Sequence, residues 1–413
     1  MNMNFSKFVK SLGPGLLYAG AAVGVSHLVQ STRAGASYGY ELIWVLIIAN
    51  IIKYPFFEFA PRYASSTGKS LIHGYTNLGK WALVLYILLT ISTMFAITAA
   101  ILMVTSGLFS NLTGWTFSTQ LMIAILLGII ALFLLIGKFK LLEGMMKYII
   151  LLLSISTVFA VILAFNPELR QVETFNWANT IDIAFLIAFV GWMPAPFDVS
   201  VWHSTWTVAK QSNSNEKISM KSSLRDFNIG YIGTAILATG FLALGALVMY
   251  GSGQEFASGG VAFAGQLINM YTSSLGNWAY YIIGIAAFTT MLSTSITVMD
   301  AYPRVLNPSF SLLRNKQENF NESMGKTYIL WMVILVAGTL ALIIWFSKSM
   351  KFMVDLATTI SFVTAPILAF LNLKVVMKLP KADQPKIFLR VFSWISLILL
   401  TCFSIYYLIW KFL

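Results

Sequence analysis

Eleven windows of mostly apolar residues recur along this chain, at 14–31, 40–63, 82–108, 119–137, 143–165, 181–207, 226–250, 277–303, 327–347, 352–377 and 389–411. Coiled as an α-helix, about 20 residues cross the hydrocarbon core of a bilayer. Lipid offers the backbone no hydrogen bonds, so spanning segments are helices or closed barrels, and apolar windows this long read as helices. The expected class is an all-α polytopic membrane protein of about 11 transmembrane helices, with the lipid bilayer as its first partner. Composition agrees: 10% of the residues are charged, against roughly 25% in soluble domains. The start, Lys7 and Lys10 before an apolar run, is superficially like a signal peptide. Gly13-Pro14-Gly15 breaks that run and further spans follow, so it reads as span one.

The net charge of +12 does not indicate nucleic acid, because the cations sit in short loops between windows. Lys7, Lys10, Arg62, Lys69, Lys80, Lys138, Lys140, Lys210, Lys217, Lys221, Arg225, Arg304, Arg314, Lys316, Lys326, Lys374, Lys378, Lys381, Lys386 and Arg390 fall on one side. The alternate loops hold Arg33, Arg170, Lys348 and Lys351, with Glu168 and Glu173 beside Arg170. The positive-inside rule then predicts a cytoplasmic N-terminus, an external C-terminus, and residence in the cell's inner or plasma membrane. The longest loops, near 208–225 and 305–326, are too short for a soluble domain. Cys402 is the single cysteine, which excludes a disulfide framework or a Cys-based metal site.

Two windows carry helix breakers in their middle. Gly191-Trp192-Met193-Pro194-Ala195-Pro196-Phe197-Asp198-Val199-Ser200 holds two prolines, each of which removes an N–H and clashes one turn back. Span one holds Gly20 and Gly24 before Val25, Ser26 and His27. Two broken segments at matching places in two halves point to a transporter's binding site. The division expected is one domain, 1–413, with repeats at about 12–165 and 181–377 and an extra helix at about 389–411.

Asp198 is ionisable at membrane depth, either a ligand or proton site in a cavity or the N-cap of the second half-helix. His27, beside the span-one glycines, is a ligand candidate or a packed histidine. His203 is a proton-path candidate or a packing residue. Glu58 with Arg62 and Asp300 with Arg304 stand at i, i+4 and read as structural pairs. Asp355 reads as an interfacial pair with Lys351. Lys53 lies deeper, and either snorkels or meets an acid from another span. Span three has no carboxylate but many hydroxyls, among them Thr90, Thr93 and Thr98. The run Thr289 to Ser295 in span eight is polar enough to line a pathway. No Walker loop, His/Cys cluster or nucleophile triad is present, so neither an enzyme nor an ATP-driven pump is expected, and no cofactor.

Gly13-Pro14-Gly15, then Arg33-Ala34-Gly35-Ala36-Ser37-Tyr38-Gly39-Tyr40, Trp44-Val45-Leu46, Asn50 and Thr67-Gly68-Lys69 resemble the opening of NRAMP divalent-metal transporters. That resemblance implies a LeuT-like 5+5 inverted repeat with broken helices 1 and 6, and alternating access about a midplane site. The family's DPGN motif falls here on Gly24-Val25-Ser26-His27, so its acid is missing and its amide is an imidazole. The family's MPH motif is similar to Met193-Pro194-Ala195. Matching instead the later HS pair to His203-Ser204 shifts the register by three and leaves Met193 outside. The family's acidic proton route in span three has no counterpart, and NRAMP-related magnesium transporters are a precedent for lost proton coupling.

The resemblance implies a secondary transporter or facilitator of a small cation, a divalent metal first, with proton coupling doubtful. Substrate-binding candidates are Gly24, Ser26, His27, Met193, Pro194, Ala195 and Asp198, of which His27, Met193 and Asp198 are the metal candidates. An organic-solute transporter on the same scaffold is the alternative, with Trp192, Phe197 and Trp202 lining an apolar pocket. A non-transporting membrane sensor is the third reading.

Overall fold

The computed structural model describes residues 13–136, 139–165, 175–213, 219–314, 325–346 and 349–412. Lys7, Lys10, Lys138, Glu168, Arg170, Glu173, Lys217, Lys316, Lys348 and the side chain of Lys140, used above to orient the loops, lie outside the described residues.

The described residues form helices and no strand. Span one comprises α1 (Pro14–Ala22), a π-helical turn (Ser26–Ser31) and α2 (Thr32–Tyr38). Span two is α3 (Ile43–Thr67), the short α4 (Leu71–Leu78) follows it, and span three is α5 (Lys80–Thr113). Spans four and five are α6 (Thr119–Leu135) and α7 (Phe139–Ala164). Span six comprises α8 (Thr180–Trp192) and α9 (Asp198–Asn213). Span seven is α10 (Met220–Val248), then comes α11 (Gly260–Leu275), and span eight is α12 (Ala279–Leu313). Spans nine to eleven are α13 (Lys326–Phe346), α14 (Met350–Val376) and α15 (Ile387–Phe412). The order broken span, long helix, short helix, three spans occurs twice, with α15 after the second. Among the described helices, seven are long and apolar enough to cross a bilayer alone.

Two expectations need correction. The longest stretch between spans is 251–276, and it is not loop, because α11 occupies most of it. Its buried residues Phe263, Leu267, Ile268 and Tyr271 fall at helical spacing, so it packs as an amphipathic helix too short for the spanning windows. Span eight does not end at Pro303 but runs past Pro303 and Pro308 to Leu313. Arg304 bridges back to Asp300 at 2.7 and 2.8 Å, and Tyr328 donates to Asp300 at 2.9 Å. Those bonds tie together the turns on either side of Pro303, where the helical ladder loses a donor.

Span one lies on span seven with little side chain between them. A Cβ on Gly15 would run into the backbone of Asp226, and one on Gly230 into Gly15 O. Beyond the break the same thing recurs: Gly35 abuts Leu242 O and Gly245 abuts Thr32 O. Small residues let membrane helices approach this closely. Asp226 of α10 also accepts from the N–H groups of Gly13 and Gly15 at 3.1 and 2.9 Å, meeting donors that a helix start leaves unpaired. Gly68 ends α3 with φ 68°, its N–H bonded to Ala64 O at 2.9 Å. That left-handed cap is cheap only for glycine, and it accounts for the Thr67-Gly68-Lys69 turn.

Candidate functional site

The two breaks are where the prolines and glycines place them. α1 stops at Ala22, and the chain resumes helical form in a π-turn at Ser26. α8 stops at Trp192, and residues 193–197 are irregular up to the start of α9, with the Met193–Pro194 peptide cis. Each half-helix end leaves carbonyls without intrahelical partners at membrane depth.

The end of α1 is met from span eight. Thr294 Oγ1 lies 3.3 Å from Gly20 O, 3.3 Å from Val23 O and 3.0 Å from Thr290 O. One hydroxyl proton serves three oxygens, so this end keeps spare acceptor capacity. Thr294 also meets Gly24, where a Cβ would touch its methyl at 3.0 Å.

The end of α8 is met by a cation. Lys53 Nζ of α3, fully buried, donates to Val190 O at 2.5 Å and Gly191 O at 3.0 Å. The same ammonium stands 5.5 Å from the centroid of the Phe197 ring. The sequence offered snorkelling or an acid partner for Lys53; among the described residues no acid pairs with it, and it is buried and bonds to backbone instead. Carbonyl groups carry no sequence signature, which is why that role was not readable.

Asp198 opens α9 and is buried, with Thr93 Oγ1 3.3 Å from its Oδ1. The phenols of Tyr75, Tyr86 and Tyr302 lie within electrostatic reach of it. Among the described residues no cation pairs with it. The break in span six thus has an unpaired cation at the negative end of one half-helix and an unpaired acid at the positive end of the other, each favoured there by the helix dipole.

Between the breaks lies a small cavity of about 10 Å³, at the lower limit for one water molecule. Ser26 and Thr294 supply its hydroxyls, while Trp192, Pro196, Val199 and Trp202 are among its apolar walls. Ser26 is the one residue of the substrate-binding set that lines it. His27 points to span seven, where Nε2–H donates to Thr234 O at 3.0 Å, and its Nδ1 lies 2.7 Å from Ser26 Oγ. Both ring nitrogens are therefore engaged by protein. Met193 packs into an apolar cluster with Ala34, Phe185 and Phe362. Pro194 and Ala195 are buried in the break. Among the described residues no three His, Cys, Asp or Glu side chains gather as a metal site. His203 is packed against the rings of Tyr18 and Phe227, 5.8 and 5.5 Å between centroids, and its Nδ1 has no hydrogen-bond partner.

Beyond the break, an ion pair joins α2 of span one to α14 of span ten. Arg33 donates to Asp355 at 2.7 Å, and its guanidinium lies 4.3 Å over the Phe185 ring. Asp355 thus pairs across spans one and ten rather than with Lys351, four residues away; the tertiary partner is reached by a side chain on the facing helix. The i, i+4 pair expected of Glu58 and Arg62 is present, at 2.5 to 3.1 Å.

Residues 15–410 match the family model described as natural resistance-associated macrophage protein-like, Nramp. The chain belongs to the Nramp family. An uncharacterized protein of Pasteurella multocida (strain Pm70) is 38% identical over 411 residues, 98% of this chain and 92% of that protein. The Eremococcus coleocola manganese transporter, solved with an aromatic bis-isothiourea substituted compound, superimposes with a TM-score of 0.70 at 14% identity, covering 98% of this chain and 87% of that one. MhsT in complex with L-phenylalanine gives 0.60 at 14% identity, over 95% and 98%. The fold is thus the LeuT-like one, with broken helices 1 and 6. Nramp proteins are membrane transporters, so this integral membrane protein is a transporter and not an enzyme.

Proposed function

We propose that this Nramp protein is a secondary transporter or facilitator of a small cation, a divalent metal ion first, working by alternating access around the two breaks. The observation that carries the reading is Asp198: a buried carboxylate at the edge of a break, with no cation partner among the described residues. An ionised carboxylate without a counter-ion is costly at membrane depth, and a cation from solution relieves that cost. His27 and Met193 are its candidate co-ligands, with backbone at Gly24, Ser26, Pro194 and Ala195 as the frame. His27 joins only by releasing Ser26 or Thr234, so binding is coupled to a turn of its ring away from one of them. The break begins at Met193, which favours the register that puts the family's MPH motif there. The repeats at 12–165 and 181–377 act as the two halves, with the N-terminus cytoplasmic and the C-terminus external. With no carboxylate on span three, little proton movement accompanies transport, and His203 is the remaining proton-path candidate.

The apolar walls of the cavity, Trp192 and Trp202 above all, favour a second reading, an organic solute. Proteoliposomes loaded with a metal-quenched dye separate the two. Saturable Mn²⁺ or Mg²⁺ entry that disappears in Asp198→Asn is the expected result. Absence of flux for every divalent ion, with a thermal shift on adding aromatic amino acids, sinks the metal reading.

A further inference from the structure

The carbonyl end of α8 has the makings of a cation site. It lies at a break, it is buried, and the carbonyls of Val190 and Gly191 converge on one point. Val190 O also accepts the N–H of Met193 at 3.2 Å, so the turn is held in shape by its own backbone. The group at that point is not a mobile ion but the ammonium of Lys53, on the end of a four-carbon stem from span two. Its other neighbour is the face of Phe197, a surface that attracts cations. No acid is paired with Lys53 among the described residues. Two carbonyl dipoles, a helix C-terminus and an aromatic face therefore carry the whole task of solvating one buried charge.

We propose that the end of α8 is a seat for a small monovalent cation or primary ammonium, and that Lys53 is the cation tethered in it. Lys53 does permanently what a bound ion does reversibly: it neutralises the α8 end and fixes span two to the break of span six. The protein then needs no free monovalent ion to assemble this break.

The test uses the purified full chain in detergent, with Tm followed in NaCl, KCl, methylammonium chloride or choline chloride at equal ionic strength. Wild type should show the same Tm in all four. Lys53→Ala, which opens a space at the carbonyls, should have a lower Tm in choline. Na⁺, K⁺ or methylammonium should raise it saturably, by about 2 °C for a site filled well above its Kd. Lys53→Gln keeps a donor amide but no charge and leaves no space for an ion, so it should be destabilised and not rescued. If Lys53→Ala is recovered from membranes only when Na⁺ or methylammonium is present, that dependence is itself the expected result. Lys53→Ala without any preference among the four cations, whatever its stability, overturns the proposal. Lys53→Gln with wild-type Tm also overturns it, because the hydrogen bonds alone would then suffice.

Discussion

Replacing Asp355 by Asn should loosen the closed state measurably. The substitution keeps size and an acceptor oxygen but removes the charge that faces Arg33 at 2.7 Å. The Arg33 side chain is 8% exposed and that of Asp355 33%, so this pair lies between the exposed and buried limits. Exposed pairs contribute about 0.2–1 kcal/mol and hydrogen bonds to charged groups about 1.5–3 kcal/mol. Discounting for the water that reaches Asp355 leaves about 1–2 kcal/mol. Arg33 is left over Phe185 without its acid, which adds to the strain on the closed form. At about 1.4 kcal/mol per tenfold, the closed state should lose about 5- to 30-fold against any state in which spans one and ten separate. Ala22, buried and on the cavity wall, reports that separation. With Cys402→Ser and Ala22→Cys as background, the rate of labelling by a polar maleimide in detergent should rise by that factor in Asp355→Asn. Arg33→Gln should give a similar rise, and the double variant little more. An unchanged rate in a well-folded Asp355→Asn would refute the idea that this pair holds spans one and ten together.

Gly35→Ala should lower stability by about 1–3 kcal/mol, because its methyl has backbone in its way; Gly128→Ala, with nothing within 4 Å, should not, and thermal unfolding compares the two. Asp226→Ala removes the acceptor for two N–H groups at the start of α1 and should cost about 1–2 kcal/mol by the same assay. Asp198→Asn should leave Tm within a degree or two while abolishing metal binding in calorimetry; near-normal affinity would reduce Asp198 to a helix cap. Thr113→Cys and Lys381→Cys should label from opposite faces of right-side-out vesicles, the first from outside, and labelling of both from one face would discard the orientation.

The breaks were legible because they have a local cause: Gly20, Gly24, Pro194 and Pro196 weaken a helix wherever it packs. The i, i+4 pairs were legible for the same reason, since Glu58 and Arg62 need only their own helix to meet. What was not legible depends on a second element. Lys53 was noticed for its depth, but its partners are carbonyls, and any residue has one. Asp355 was assigned to its sequence neighbour Lys351, whereas Arg33 lies on a helix more than 300 positions earlier. Thr294 belonged to a run read as polar, yet nothing in that run says it answers the end of α1. α11 was missed because its apolar face is one side of a short helix, a weaker signal than a spanning window.

The two glycine contacts between spans one and seven fix how this molecule can move. One lies before the break, at Gly15 and Gly230, and one after it, at Gly35 and Gly245. Two helices pinned backbone to backbone at two separated points lose most of their freedom to slide, roll or swing relative to each other. The break in span one is clamped on both sides to a continuous rod. Span seven therefore acts as a splint, and both pieces of span one travel with it as one body. The path for a cargo has to open against the faces of span one that glycine does not lock, toward spans three, eight and ten.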